Sequence, residues 1–103
     1  MIKQAPRLFI VIPCYNDEQV LPVTSTMFLD ELQLLIGKGK IAEDSRILFV
    51  NDGSRDRTWK IIEELAAKDP HFIGISQSRN RGHQNAVLAG LMEAEEQADI
   101  TIS

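Results

Sequence analysis

Leu8-Phe9-Ile10-Val11-Ile12 is a five-residue apolar run stopped by Pro13, and similar runs return at Arg46–Val50 and Phe72–Ser76. Runs this short, rich in β-branched residues, read as strands buried on both faces. Between the first two, Leu21, Phe28, Leu32 and Leu35 recur at helical spacing and predict one buried stripe. Gly37 and Gly39 end that helix, with Lys38 and Lys40 placed to complement its C-terminus. Asn51-Asp52-Gly53-Ser54 closes the second run with strong turn chemistry. Asp56 is then an N-cap for a helix carrying Trp59, Ile62, Leu65 and Ala66 on one side and ending near Asp69-Pro70. A third helix is expected over 82–97, with the small inner face Ala86, Val87, Gly90, Leu91 and Ala94. Ala98–Ser103 opens a fourth strand.

The order βαβαβαβ implies parallel pairing with right-handed crossovers. The expected fold is therefore α/β: a doubly wound, mostly parallel sheet in three layers, α/β/α. A last strand with no helix after it leaves one side of such a sheet poorly covered. Residues 1–103 are accordingly expected to form a single incomplete domain, cut after its fourth strand; a natural edge strand is the alternative.

At 103 residues the chain falls below the rough scale of 150 per domain, which excludes a multidomain assembly. Fifteen Asp and Glu against eleven Lys and Arg give a net charge of −4, which argues against a nucleic-acid partner. Cys14 is the single cysteine, so no disulfide forms within the chain, as suits a reducing, cytoplasmic setting. The run after Met1–Arg7 is too short for a signal peptide. No stretch reaches the roughly 18 to 20 apolar residues needed to cross a bilayer.

In open parallel sheets, ligands bind beyond the carboxyl ends of the strands. Three polar clusters are expected there: Pro13-Cys14-Tyr15-Asn16-Asp17-Glu18, Asn51–Asp56 and Ser78–Asn85. Asp52, directly after a buried strand, offers a fixed carboxylate to a nucleobase N–H, an aligned contact of about 1.5–3 kcal/mol. Gly53 lets the backbone turn sharply or a ring approach closely. Tyr15 offers an aromatic face and a hydroxyl. Arg79, Arg81 and His83 stand near the start of the third helix, where cationic side chains and unpaired N–H groups suit a diphosphate. Blander readings stand beside these: Asn-Asp-Gly-Ser as a plain turn, Cys14 as a small buried thiol, His71 as a solvated loop residue, His83 as a helix-end residue. Trp59 is read as core, and Glu93, Glu95 and Glu96 as a solvated face. P-loop, dinucleotide-binding, zinc and nucleophile-elbow signatures do not occur in the sequence.

Taken in order, Ile12–Glu18, Val50–Thr58 and Ser78–His83 resemble the N-terminal half of a family 2 glycosyltransferase of the GT-A fold, whose first part is Rossmann-like. Ser78-Arg79-Asn80-Arg81-Gly82-His83 followed by Ala86–Leu91 is similar to the bacterial polyprenyl-phosphate sugar transferases of cell-wall or polysaccharide biosynthesis. The resemblance runs from Leu8 to Ser103. It implies that Pro13 and Tyr15 line a nucleotide pocket and that Asp52 reads the base, uracil in UDP-sugar enzymes. Asn16, Gly53, Ser54 and Gly82 fall in the same motifs. Asp17 stands where the family usually has Glu, with Glu18 next, so both carboxylates remain candidates. Asn51 occupies a position often held by Asp. Arg79 to His83 match the region facing the diphosphate.

The resemblance further implies a Mg²⁺ or Mn²⁺ ion held by an Asp-x-Asp motif after the fourth strand, where this sequence stops. No catalytic residue is assigned within residues 1–103, and no metal is expected on them alone. The expectation is an intact enzyme that moves a sugar from a nucleotide-sugar donor, UDP-sugar foremost, to an acceptor such as a polyprenyl phosphate. The intact protein is expected at the cytoplasmic face of the membrane, with this fragment inactive by itself. A receiver-like module and a non-catalytic protein-interaction domain are the alternatives. An exposed sheet edge makes a homodimer through that edge a further expectation.

Overall fold

A computed structural model describes residues 5–77 and 100–102. Its elements are β1 (Leu8–Cys14), α1 (Leu21–Gly37), β2 (Arg46–Asp52), α2 (Thr58–Lys68), β3 (Phe72–Gln77) and β4 (Ile100–Ile102). The helix expected over 82–97 lies outside the described residues. The strands form one sheet in the order β3-β2-β1-β4, and every neighbouring pair is parallel. The α/β class and parallel sheet expected from the alternation are thus present.

Strand alternation sorts the apolar residues onto two faces. Leu8, Cys14, Ile47, Phe49 and Phe72 join Leu21, Leu32 and Ile62 of the helices in one core, so α1 and α2 cover this face. Phe9, Val11, Leu48 and Val50 cluster on the other face with Ile73 and Ile75. All the central positions of β2 from Ile47 to Val50 are fully buried, which is why the run reads as continuous rather than alternating.

Helix α1 ends in a Schellman motif: Lys40 N–H bonds Leu35 O and Gly39 N–H bonds Ile36 O. Gly39 holds φ +73°, the left-handed conformation that glycine adopts without a Cβ clash. The expected buried stripe is only partly realised. Leu21 and Leu32 are buried and Leu35 packs against the core, but Phe28 is 36% exposed. Ser25 is buried instead, its hydroxyl bonded to Pro22 O within the helix. Helix α2 meets the expectation more closely, with Ile62 fully buried and Trp59, Leu65 and Ala66 packed against the core.

Two strands run longer than their apolar runs. β1 continues through Pro13 to Cys14, paired with Val50 and Asn51 of β2. Leu8 N–H bonds Ser45 just before β2, so alternation aims the nitrogen of every odd residue, Pro13 included, away from β2. The proline therefore removes no hydrogen bond from the β1–β2 ladder. β2 likewise continues through Asn51 and Asp52, which are strand residues here and not turn residues. Among the described residues no helix is long and apolar enough to cross a membrane.

Candidate functional site

The carboxyl ends of β1 and β2 lie side by side, with Cys14 opposite Asn51. The strand order reverses between β1 and β4, and such a switch point is where open α/β sheets bind ligands. Pro13, Tyr15, Asp52 and Gly53 are all brought to this end of the sheet, as the sequence predicts.

Asp52 closes β2 with only 2% of its surface exposed. Alternation places it on the Leu48–Val50 side of the sheet, away from α1 and α2. Gly53 follows at φ +69°, so the chain turns through a conformation that other residues resist. Asn51 points to the helix-covered face and braces the turn. Its Nδ2 donates to Ser76 Oγ at 2.9 Å, and its Oδ1 accepts Ser54 N–H at 3.2 Å.

After β1, the Asp17 carboxylate reaches back along the chain, and Tyr15 N–H donates to its Oδ2 at 3.0 Å. Tyr15 itself is 37% exposed, its ring open to a stacking partner. Asn16 adopts φ +51°, which its short polar side chain tolerates. The Asp17 carbonyl accepts the N–H groups of Val20 and Leu21, starting α1 without a side-chain cap.

The loops after β1 and β2 are stitched together by four hydrogen bonds. Asn16 N–H reaches Ser54 Oγ at 3.0 Å, and Arg55 N–H reaches Asn16 Oδ1 at 2.9 Å. Asp17 N–H reaches Thr58 Oγ1 at 2.8 Å, and Glu18 N–H reaches Asp56 Oδ2 at 3.2 Å. Asp56 Oδ1 also accepts both the N–H and the hydroxyl of Thr58. Helix α2 begins at Thr58, one residue beyond what an N-cap at Asp56 implies, yet the carboxylate still satisfies the first turn. Burial alone would raise the Asp56 pKa. The Thr58 hydroxyl and the N–H groups of Thr58, Glu18 and Asp56 itself outweigh it and hold the carboxyl below its usual value.

Asn16 and Ser54, predicted as ligand contacts, thus have their side chains in this stitching. Asp56 and Thr58 were missed as parts of the site's frame. The available signal was the Asp-x-Thr spacing at a helix start, which reads as an ordinary cap until the second loop is seen to share it. Arg79, Arg81, Gly82 and His83 lie outside the described residues.

Cys14 is buried and its thiol bonds Ile12 O. Burial, with the Asp17 carboxylate adding to it, pushes its pKa up to about 12. The thiol is inert, as the sequence suggests, and iodoacetamide at pH 8 is expected to leave it unmodified until denaturant is added. Stoichiometric labelling of the native chain, read by intact mass, would refute this. His71 departs from its expected solvated role. It is half-buried, its N–H bonds Asp69 Oδ1, and its Nδ1 lies 3.0 Å from Ser45 O.

A cavity of about 480 Å³ opens beside Ile36, Arg46, Pro70 and His71. These residues mark the amino ends of β2 and β3, so the cavity is remote from the clusters above. The Mg²⁺ or Mn²⁺ implied by the resemblance finds no group of three His, Cys, Asp or Glu side chains among the described residues.

Comparison with known proteins identifies the family. Residues 9–102 match the model of glycosyl transferase family 2. The chain is 44% identical, over all of its length, to an uncharacterized glycosyltransferase, YkoT, of Bacillus subtilis (strain 168). It is 36% identical over 99% of its length to an undecaprenyl-phosphate 4-deoxy-4-formamido-L-arabinose transferase of Pectobacterium atrosepticum. A prophage bactoprenol glucosyl transferase homolog of Escherichia coli (strain K12) is 34% identical over 93% of it. The chain spans 31%, 30% and 29% of these relatives' own lengths. With parallel strands in the order 3-2-1-4 and polar loops gathered at their carboxyl ends, the chain belongs to glycosyl transferase family 2.

Proposed function

We propose that this chain is the donor-nucleotide half of a glycosyltransferase that moves a sugar from a UDP-sugar to a polyprenyl phosphate. The observation that carries the reading is Asp52, nearly removed from water at the carboxyl end of β2, beside the loop that presents Tyr15. A fixed carboxylate there accepts the imide N–H of uracil, and the exposed Tyr15 ring stacks on or flanks the base. Pro13 and Gly53 shape the floor on which the ring lies. Asp17 and Glu18 lie next to this floor, with Asp17 turned back on Tyr15 N–H. Arg79, Arg81 and His83, near Gly82, supply the cations for the diphosphate, and a divalent metal completes its neutralisation in the intact enzyme.

The acceptor follows from the relatives whose names specify undecaprenyl phosphate or bactoprenol. Such an acceptor places the intact enzyme at a membrane surface, on the cytoplasmic side where nucleotide sugars are made. Residues 1–103 contain no Asp-x-Asp, so the chain alone is expected to bind nucleotide and not to transfer sugar.

Calorimetric titration of UDP and GDP into the chain tests the donor site. Loss of a charged hydrogen bond worth about 1.5–3 kcal/mol predicts that Asp52→Ala weakens UDP binding by roughly 10- to 150-fold. Equal affinity in the variant would remove Asp52 from the site. Preference for GDP would replace the uracil assignment.

A further inference from the structure

Ser76, near the end of β3, falls outside the three polar clusters, yet the structure ties it to one of them. It stands opposite Asn51 in the parallel register, on the helix-covered side of the sheet with Phe72 and Gly74. Ser76 is exposed, whereas Asn51 keeps only 3% of its surface in water.

The contact between the two has a definite direction. Ser54 N–H can only donate, so the Asn51 amide turns its oxygen to it, at 3.2 Å. Nδ2 is left for Ser76, whose Oγ accepts at 2.9 Å. The terminal torsion of asparagine is broad, so one hydrogen bond leaves the amide loose and the second, to Ser76, fixes its plane. The Asn51–Ser54 bond in turn closes a small ring over Asp52 and Gly53. Gly53, at φ +69°, has a conformational freedom other residue types lack, and the closure holds the strand end in one direction. The Ser54 hydroxyl then accepts Asn16 N–H at 3.0 Å, next to Tyr15. One hydrogen-bonded row thus runs from β3 through the Asp52 turn to the Tyr15 loop.

We propose that Ser76 is a positioning residue of the donor site: through the Asn51 amide it sets the direction in which the turn presents Asp52. The proposal rests on the donor-nucleotide reading above. Ser76 acts on the nucleotide only through Asn51, so its effect vanishes when the amide is removed. A direct contact with the ligand would survive that removal, and a merely structural role would lower stability without changing the affinity of the folded chain.

Calorimetric titration of UDP, under conditions where circular dichroism shows each variant folded, tests this. Ser76→Ala is expected to weaken UDP binding by about 3- to 10-fold, the effect of misaligning one hydrogen bond. Ser76→Thr keeps the hydroxyl and suits a strand, so it should bind UDP within about twofold of wild type. Asn51→Ala should weaken binding at least as much as Ser76→Ala, and adding Ser76→Ala to it should cost nothing more. Should Asn51→Ala fail to fold, the two variants at exposed Ser76 still decide, together with amide exchange. In Ser76→Ala the Ser54 N–H is expected to exchange faster, while the amides of Ile47 to Val50 in β2 hardly change. Unchanged UDP affinity in Ser76→Ala, beside a loss in Asp52→Ala, would overturn this proposal alone. So would additive losses in the double variant, a Ser76→Thr as weak as Ser76→Ala, or an unchanged Ser54 amide. Undiminished affinity in Asp52→Ala would overturn the donor-site reading and this proposal with it.

Discussion

Replacing Asp56 by alanine is expected to lower the stability of the chain by about 2–4 kcal/mol. Loss of a helix-capping carboxylate contributes about 1 kcal/mol. A further 1–3 kcal/mol comes from the Thr58 hydroxyl, which is fully buried and loses the oxygen it donates to. Glu18 N–H loses its acceptor as well, so one of the four stitches between the loops opens. Asp56→Asn keeps one carbonyl oxygen for Thr58 but not the second for Glu18, and should fall between the two. The effect depends on pH with a definite sign. The Asp56 pKa is depressed in the folded chain, so its contribution is fully present above the unfolded value of about 3.9. It is lost as pH falls through the folded value. Denaturation midpoints of wild type and Asp56→Ala should therefore converge as acid is added. A gap that persists at the lowest pH would show that the carboxylate's charge is not what matters. Since the same carboxylate holds the Tyr15 loop against the Asp52 loop, UDP affinity should fall with it if the proposed donor site is correct.

Gly74→Ala is expected to destabilise by about 1–3 kcal/mol, the usual consequence of forcing an extra methyl into a packed core. A Cβ at this position would stand 2.4 Å from Ile62 Cγ2 and 3.1 Å from the Trp59 ring. Ile62 is fully buried, so it has little room to yield, and α2 would have to lift from β3. The displacement would propagate to the start of α2, where Thr58 anchors Asp17. Cutting Ile62 back to alanine in the Gly74→Ala background should recover part of the loss beyond the sum of the single effects. Strict additivity in that cycle, or an unchanged midpoint in Gly74→Ala, would show that the glycine is not there for close approach.

The elements were legible in the sequence because their periods are physical. A strand buried on both faces needs a short unbroken apolar run, and α2 needs Trp59, Ile62, Leu65 and Ala66 on one side. Their ends were less legible. Pro13 reads as a stop, yet it continues β1 because its nitrogen faces away from β2. Asn51 and Asp52 read as turn residues, yet β3 extends far enough for both to pair, with Asn51 opposite Ser76 and Asp52 opposite Gln77. Phe28 reads as core by spacing alone, but spacing does not say which residue of a stripe sits nearest the sheet. His71 reads as solvated by its neighbours in sequence, whereas its ring partner, Ser45, is 26 residues away.

The site divides along the same line. Residue chemistry and order along the chain were enough to mark the polar clusters at the ends of β1 and β2, because a parallel sheet sends such ends to one side. Asp52, expected just after the second strand, is its last residue, and the cluster Ser78–Asn85 lies outside the described residues. Which side chains tie the two loops together was decided only in three dimensions. Asn16, Ser54, Asp56 and Thr58 join loops whose residues stand 38 to 41 positions apart. Local patterns report the conformation of a segment, but hydrogen bonds between loops arise only once the sheet has set two strand ends next to each other.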